Sequence, residues 1–346
     1  VRPGLSPLRL VDFKINSIIF IVIKSSDMKP KILILVAPGF IGKNLALLFV
    51  EQDVELICSY HHTPPFELKK ATWVQCDLLE HQEIQNMMRL KPDIVIQAAA
   101  TTSGAKDIIE RPYIHVTDNS VMNALLLREI YHAKIKHFIF FSCSLVYANS
   151  RRKVKESDAI SHYNIAPNYF GIGWTKIYIE KACQFYAGIS DTKFTVIRHS
   201  NVYGPHDKFD LERSHFMGAS ITKILSADEH SEIAVWGEGT EKRDLLYIDD
   251  LVSFVDSVIK KQKKSYLLVN VGSETLVSVN DAIQKIISVA RKKIHIKHDL
   301  SKPSLKSHIC LNCEQAYRLF NWKPKINLRQ GIKKTIEYWL QTNRNF

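Results

Sequence analysis

From Lys31 onward, short apolar runs alternate with stretches of helical periodicity, and no other feature of the chain restricts its fold as strongly. The runs are Lys31–Val36, Val54–Ser59, Thr72–Gln75, Asp93–Ala98, His137–Ser142 and Lys193–His199. Several are apolar at every position, the mark of strands covered on both faces. Strands of that kind with helices between them predict an α/β chain built on a doubly wound parallel sheet. After Pro205 the order changes to a polar loop, a helix, short strands near Ile233–Trp236 and a tail punctuated by Pro303 and Pro324. A smaller α/β domain is expected there. Leu245–Val271 again reads strand, helix, strand, a return to the first sheet. The predicted division is therefore residues 28–205 plus about 245–272 in one domain, and about 206–244 plus 273–346 in the other.

Residues 1–27 fit neither domain. Their apolar run Ile15–Ile23 follows Arg2, Arg9 and Lys14, which faintly resembles a signal peptide. The run is too short to span a bilayer, and no small-residue cleavage site follows it. An extension outside the fold is expected, with no membrane attachment. The six cysteines, at 58, 76, 143, 183, 310 and 313, sit mostly inside apolar runs, which suits a reducing cytoplasm. Cys310 and Cys313 form a single C-x-x-C pair; zinc would need further ligands such as His308, and no metal site is expected. The formal charge of +12 comes from 47 basic and 35 acidic residues scattered along the chain. Without a basic arm or an aromatic-interleaved stripe, an anionic small molecule is the expected partner, not nucleic acid.

The first strand runs into Gly39-Phe40-Ile41-Gly42 and then an apolar helix. A glycine turn between strand and helix lets backbone N–H groups meet a pyrophosphate at the helix N-terminus. A third glycine is expected at position 36, where this chain has Val36, a β-branched residue poorly suited to positive φ. Asp77 and Leu78 follow the third strand, and Ala98 and Ala99 the fourth. An Asp there can meet an adenine amino group, and small residues let a cofactor lie against the strand end.

With these residues in register, and with Asn201-Val202-Tyr203-Gly204-Pro205 after the sixth strand, the chain resembles the extended short-chain dehydrogenase/reductases, the NAD-dependent epimerase/dehydratase family. Its second half, with Tyr203–Asp210, Trp236–Asp244 and Asn270–Ser273, is similar to the GDP-L-fucose synthase branch. The resemblance implies a Rossmann-like domain joined to a nucleotide-sugar domain. It implies a homodimer, a nucleotide-sugar substrate and a role in polysaccharide assembly. Gly39, Phe40, Ile41, Gly42, Asp77, Leu78, Ala98, Ala99, Lys176 and Asn201 would hold the dinucleotide. Lys223, Trp236 and Arg243 would hold the GDP-sugar, Asn119 matches the family's Asn, and His215 matches its epimerisation acid or base.

Departures from the family fall on the chemistry itself. Lys176 occupies the family's Lys, but its Tyr position is Ile172, its Ser position Cys143, its epimerisation Cys Leu145, and a later Asp is Ser304. Ser142 and Ser144 flank Cys143, and Tyr169 lies one helical turn before Ile172, with Gly171 and Gly173 available to let the helix begin irregularly. Cys143, Tyr169, Lys176 and His215 are thus the expected catalytic set. The second strand ends in Ser59-Tyr60-His61-His62, without the carboxylate that meets ribose hydroxyls in NAD sites. That points to NADP, with NAD the alternative. Two functions stand open: a nucleotide-sugar reductase/epimerase, and a binding protein that keeps the pockets without turnover.

Overall fold

Most strands of the first sheet bury both faces because apolar residues occupy consecutive positions; the edge strand, Ala71–Gln75, leaves Thr72 and Gln75 exposed. The computed structural model describes residues 29–101, 112–158, 165, 167–211, 214–301 and 308–343. The N-terminal extension and Ser304 lie outside them. β1 (Lys31–Leu35) sends Ile32 and Ile34 to one core and Leu33 and Leu35 to another. β2 (Glu55–Tyr60), β3 (Ala71–Gln75), β4 (Ile94–Gln97), β5 (His137–Cys143), β6 (Lys193–His199) and the later β10 (Tyr266–Val271) complete seven strands. Their order is β10-β6-β5-β4-β1-β2-β3, with every pair parallel. This is the predicted doubly wound sheet. Connections reverse between β1 and β4, and in such sheets ligands bind beyond the carboxyl ends near that point.

Helices cover both sides. α1 (Phe40–Phe49) buries Gly42, Leu45, Ala46 and Phe49, the spacing of one helical face, against Ile32 and Ile34. α2 (His81–Met88), α3 (Pro112–His132) and α4 (Phe170–Ile189) close the other side, where Met87, Leu126, Ile130, Ile179 and Cys183 meet Leu33, Phe138 and Phe140. Burying a side chain such as Leu126 or Ile179 contributes about 1.5–3 kcal/mol.

One residue, Ser200, separates β6 from β7 (Asn201–Tyr203), and there the chain leaves the first sheet for a second. β7 pairs with β9 (Lys242–Tyr247), which also pairs with β11 (Leu276–Ser278) and β13 (His308–Ile309). β8 (Glu232–Trp236) pairs with β12 (His295–Asp299). Of the segment expected to return to the first sheet, β10 does so, whereas β9 lies in the second. The remaining helices are α5 (Phe216–Leu225), α6 (Ile248–Lys261, packed beside α1), α7 (Val279–Ala290), α8 (Glu314–Phe320) and α9 (Leu328–Thr342). Their ends obey local rules. Asp249 and Asp250 open α6 while Lys260 and Lys261 end it, matching the helix dipole, and Asn327 with Gln330 forms a capping box on α9.

Two buried carboxylates tie the layers together. Asp244, on β9, accepts from Ser273 N and Oγ, both at 2.7 Å, and from Leu311 N at 3.1 Å. A Cβ on Gly272 would stand 2.7 Å from its Oδ2, so this contact requires glycine. Glu180, on α4, accepts from Arg198 Nε at 2.9 Å and Nη2 at 2.6 Å, and from Ser142 Oγ at 2.5 Å. Arg198 also donates to Tyr147 Oη at 2.8 Å, and Tyr147 donates to Asn270 Oδ1 at 2.7 Å. Both charged side chains are 3% exposed. Glu180→Gln keeps the shape and leaves the Arg198 charge unpaired. It is expected to lower the unfolding free energy in urea at pH 7 by about 3–5 kcal/mol; a loss under about 1 kcal/mol would contradict the buried pair.

Candidate functional site

The turn between β1 and α1 has the geometry of an anion cradle. Gly39 is the N-cap of α1, with φ −70° and ψ 164°, and it places no side chain over the first-turn amides. Those N–H groups have no intrahelical partner, and no acidic residue lies in the first turn. A Cβ on Gly42 would stand 2.7 Å from Val36 O and 2.9 Å from Ala37 Cα, so only glycine fits the close approach of helix to strand. Val36 does adopt the left-handed backbone, at φ +52°, against the expectation for a β-branched residue. The cost is about 1–2 kcal/mol, and a buried serine holds the turn in place. Val36 N donates to Ser59 Oγ at 2.9 Å, and Ala37 N to Ser59 O at 2.8 Å. A dinucleotide diphosphate fits this cradle.

The rim is set by short-range hydrogen bonds. Asp77 Oδ1 accepts from Leu79 N at 2.9 Å, and its Oδ2 lies 3.5 Å from His61 Nε2. His61 and His62 stack with ring centroids 3.6 Å apart at the end of β2. Leu78 and Ala99 are buried, Ala98 is partly so, and Gln97 Oε1 accepts from Ala99 N at 3.1 Å. Asn119 holds the chain beyond β4 from both sides: Thr101 N donates to its Oδ1 at 3.1 Å, and its Nδ2 donates to Thr101 O at 3.0 Å.

Cys143 and Lys176 meet at the carboxyl ends of β5 and β6. Lys176, on α4, donates from Nζ to Phe141 O at 2.8 Å and lies 4.7 Å from the Phe140 ring centroid. Burial lowers the Lys176 pKa. Burial also raises the Cys143 thiol, with Lys176 and the Leu145 N–H pulling the other way. Ser142 is no substitute for Cys143, because its hydroxyl is fully buried on Glu180. Tyr169 ends a 3-10 turn, Pro167–Tyr169, and serves as the N-cap of α4. Burial raises its pKa, opposed by Arg243, and the Cys143 charge also reaches it. The irregular entry to α4 is this turn. Gly171 and Gly173 lie inside the helix and serve close packing: a Cβ on Gly171 would stand 2.6 Å from Val116, and one on Gly173 3.0 Å from Ile165. Tyr169 makes no hydrogen bond to Lys176 among the described residues.

On the second sheet, Arg243 lies 5.5 Å from the Phe216 ring centroid, and its buried Nε has no hydrogen-bond partner among the described residues. His215, the exposed N-cap of α5, is held below the usual imidazole range by desolvation, then by Lys208 and Arg243. Lys223 Nζ donates to Ala234 O at 2.9 Å, tying α5 to β8, which ends in the half-exposed Trp236. Asn201 Nδ2 reaches Asp244 O at 3.3 Å. Charge effects thus connect Cys143 with Lys176 and Tyr169, and Arg243 with Tyr169 and His215, while Lys223 and Trp236 are joined through β8.

Sequence reasoning passed over His199, Ser59, Glu180 and Arg198. A signal for the last was present: an arginine closing an apolar strand run must find a buried partner. Among the described residues, no group of three His, Cys, Asp or Glu is placed to hold a metal. No described helix is long and apolar enough to cross a membrane. Cys310 and Cys313 are buried free thiols, and Cys313 Sγ accepts from Gly272 N at 3.1 Å. Gly42→Ala is expected to lower the melting temperature and to weaken binding of a reduced nicotinamide dinucleotide at least tenfold in fluorescence titration, since backbone must move to admit the methyl group. Unchanged affinity would remove the cradle from the binding site.

The NAD dependent epimerase/dehydratase family model matches residues 32–272. The chain is 29% identical over 322 residues to GDP-L-colitose synthase of Yersinia pseudotuberculosis, covering 91% of this chain and 99% of that protein. It is 26% identical over 304 residues to GDP-L-fucose synthase of Sinorhizobium fredii, covering 86% and 92%. Among solved structures, UDP-glucose 4-epimerase of Thermotoga maritima with UDP-glucose superimposes with a TM-score of 0.79 at 22% identity, covering 90% of this chain and 99% of that one. MoeE5 in complex with UDP-glucuronic acid and NAD gives 0.79 at 19% identity over the same shares. Cradle, parallel sheet and family match agree: the chain belongs to the NAD dependent epimerase/dehydratase family.

Proposed function

We propose that the chain is an NAD(P)-dependent reductase and epimerase of nucleotide sugars, acting on a GDP-4-keto-6-deoxyhexose or a related sugar nucleotide. One observation carries the reading: Cys143 and Lys176 lie at the same carboxyl edge of the first sheet as the glycine cradle, with Tyr169 at the N-cap of α4, and Arg243 and His215 face them from the second sheet and α5. The names of the relatives, GDP-L-colitose synthase and GDP-L-fucose synthase, supply the substrate class.

Gly39, Phe40, Ile41 and Gly42 hold the diphosphate, Asp77 and Leu78 the adenine end, and Ala98, Ala99, Asn201 and Lys176 the nicotinamide end. The bound dinucleotide supplies the hydride that reduces the sugar carbonyl. Tyr169 delivers the proton to the carbonyl oxygen, and its raised pKa keeps the phenol protonated at pH 7. Cys143 stays a thiol and offers a weak S–H donor to the same oxygen. His215, kept neutral, can take a proton from the carbon beside the carbonyl, the step that epimerisation requires. Arg243 and Lys223 meet the diphosphate, and Trp236 stacks on the base.

His61 and His62, with no carboxylate at the end of β2, favour NADP over NAD. Six free thiols suit the cytoplasm. The outer face of α3 and α4 exposes Tyr113, Tyr178, Phe185 and Ile189, a surface suited to pairing with a second copy; a one-chain mass in sedimentation equilibrium would remove this part of the reading.

Ile172 and the missing Tyr169–Lys176 contact favour the second reading, a nucleotide-sugar-binding protein without turnover. Steady-state NADPH oxidation with GDP-4-keto-6-deoxymannose separates the two. Turnover is expected in the parent, slower with NADH, and about a hundredfold lower in Tyr169→Phe. Binding without turnover in the parent would establish the binding-protein reading, and turnover indifferent to Tyr169→Phe would assign the proton donor elsewhere.

A further inference from the structure

His199 is the last residue of β6 and stands opposite Cys143 in the parallel register. Its ring centroid lies 6.2 Å from that of Phe141, two residues before Cys143 and on the same face of the sheet. Its Nδ1 is 2.7 Å from Ser200 O, and because a carbonyl only accepts, Nδ1 carries the hydrogen. Burial, and then the charges of Lys176 and His215, hold the pKa down to about 4, so the ring is neutral at pH 7. In that neutral ring Nε2 is a hydrogen-bond acceptor. Among the described residues nothing bonds to it, and the ring is only half-buried.

The surroundings are mostly donors, with the neutral His215 the exception. Cys143 offers S–H, Tyr169 O–H, Lys176 its ammonium and Arg243 its guanidinium. Such a wall suits carbonyl and phosphate oxygens, and leaves few acceptors for the hydrogens of a sugar's hydroxyl groups, His199 on β6 and His215 at the N-cap of α5. We propose that His199 is a specificity residue that binds the hexose itself, its Nε2 accepting a hydrogen bond from a ring hydroxyl beside the reacting carbon. The lone pair repels phosphate and carboxylate oxygens, so the contact belongs to the sugar and not to the diphosphate. This rests on the nucleotide-sugar reading above.

Isothermal titration calorimetry of the full chain with GDP-mannose and with GDP tests it, using the parent, His199→Phe and His199→Gln. GDP-mannose affinity is expected to fall about five- to tenfold in His199→Phe, the scale of one lost hydrogen bond, while GDP affinity stays level. His199→Gln, which restores an acceptor, should recover most of the loss. His199→Leu replaces the Phe variant if melting shows that the larger ring unfolds the chain. Equal GDP-mannose affinity in parent and variant overturns the inference alone. An equal loss for GDP and GDP-mannose also overturns it, because the effect would then lie at the nucleotide or in the fold. Failure of the parent to bind either ligand overturns the nucleotide-sugar reading and this inference with it.

Discussion

The ion pair between Glu180 and Arg198 is the constraint on which the site depends. It joins α4, the helix of Lys176, to β6, the strand that ends in His199, and Ser142 brings β5 into the same bond. Through Tyr147 and Asn270 the network reaches β10 at the edge of the sheet. Four elements whose ends carry or border the candidate chemistry are thus fixed by hydrogen bonds, most of them charge-assisted, in a buried region. An apolar replacement could match the pair's stability, because desolvation offsets most of its Coulomb energy. What the pair supplies is geometry. Glu180 lies one helical turn after Lys176, so the bonds that hold Glu180 also aim the Lys176 ammonium at Phe141 O.

The cradle and the chemistry rest on opposite kinds of constraint. At the cradle, side chains are excluded, and the backbone accepts strain at Val36 because Ser59 holds the turn from the neighbouring strand. At the ends of β5 and β6, ionisable side chains are crowded into partial burial. That crowding keeps Cys143 and Tyr169 protonated and His199 neutral. A site built this way offers donors to oxygen atoms, as a carbonyl awaiting reduction requires. Perturbed groups gathered at the strand ends make this a candidate functional site.

Much of this was legible in the sequence, for identifiable reasons. Apolar runs at consecutive positions encode burial on both faces, so the parallel sheet and most of its strands could be read from Lys31 to His199. The glycine turn was legible because Gly42 has no sterically possible substitute without backbone movement. Strand partnership was not: β9 looks like any apolar run, and its place in the second sheet follows from pairing with β7, β11 and β13. Gly171 and Gly173 suggested backbone freedom, whereas they serve close contact with Val116 and Ile165, residues distant in sequence. His199 was invisible for the same reason, since its meaning comes from the register that sets it opposite Cys143.

The central claim is that this strand-end site reduces a sugar carbonyl at the expense of a nicotinamide dinucleotide. The most direct measurement is isotope transfer. The chain would be incubated with NADPH carrying deuterium at the transferable nicotinamide position and with GDP-4-keto-6-deoxymannose, and the recovered sugar nucleotide analysed by mass spectrometry and NMR. One deuterium at C4 of the sugar is the predicted result. Recovery of unlabelled sugar from a folded protein that binds both ligands would contradict the account.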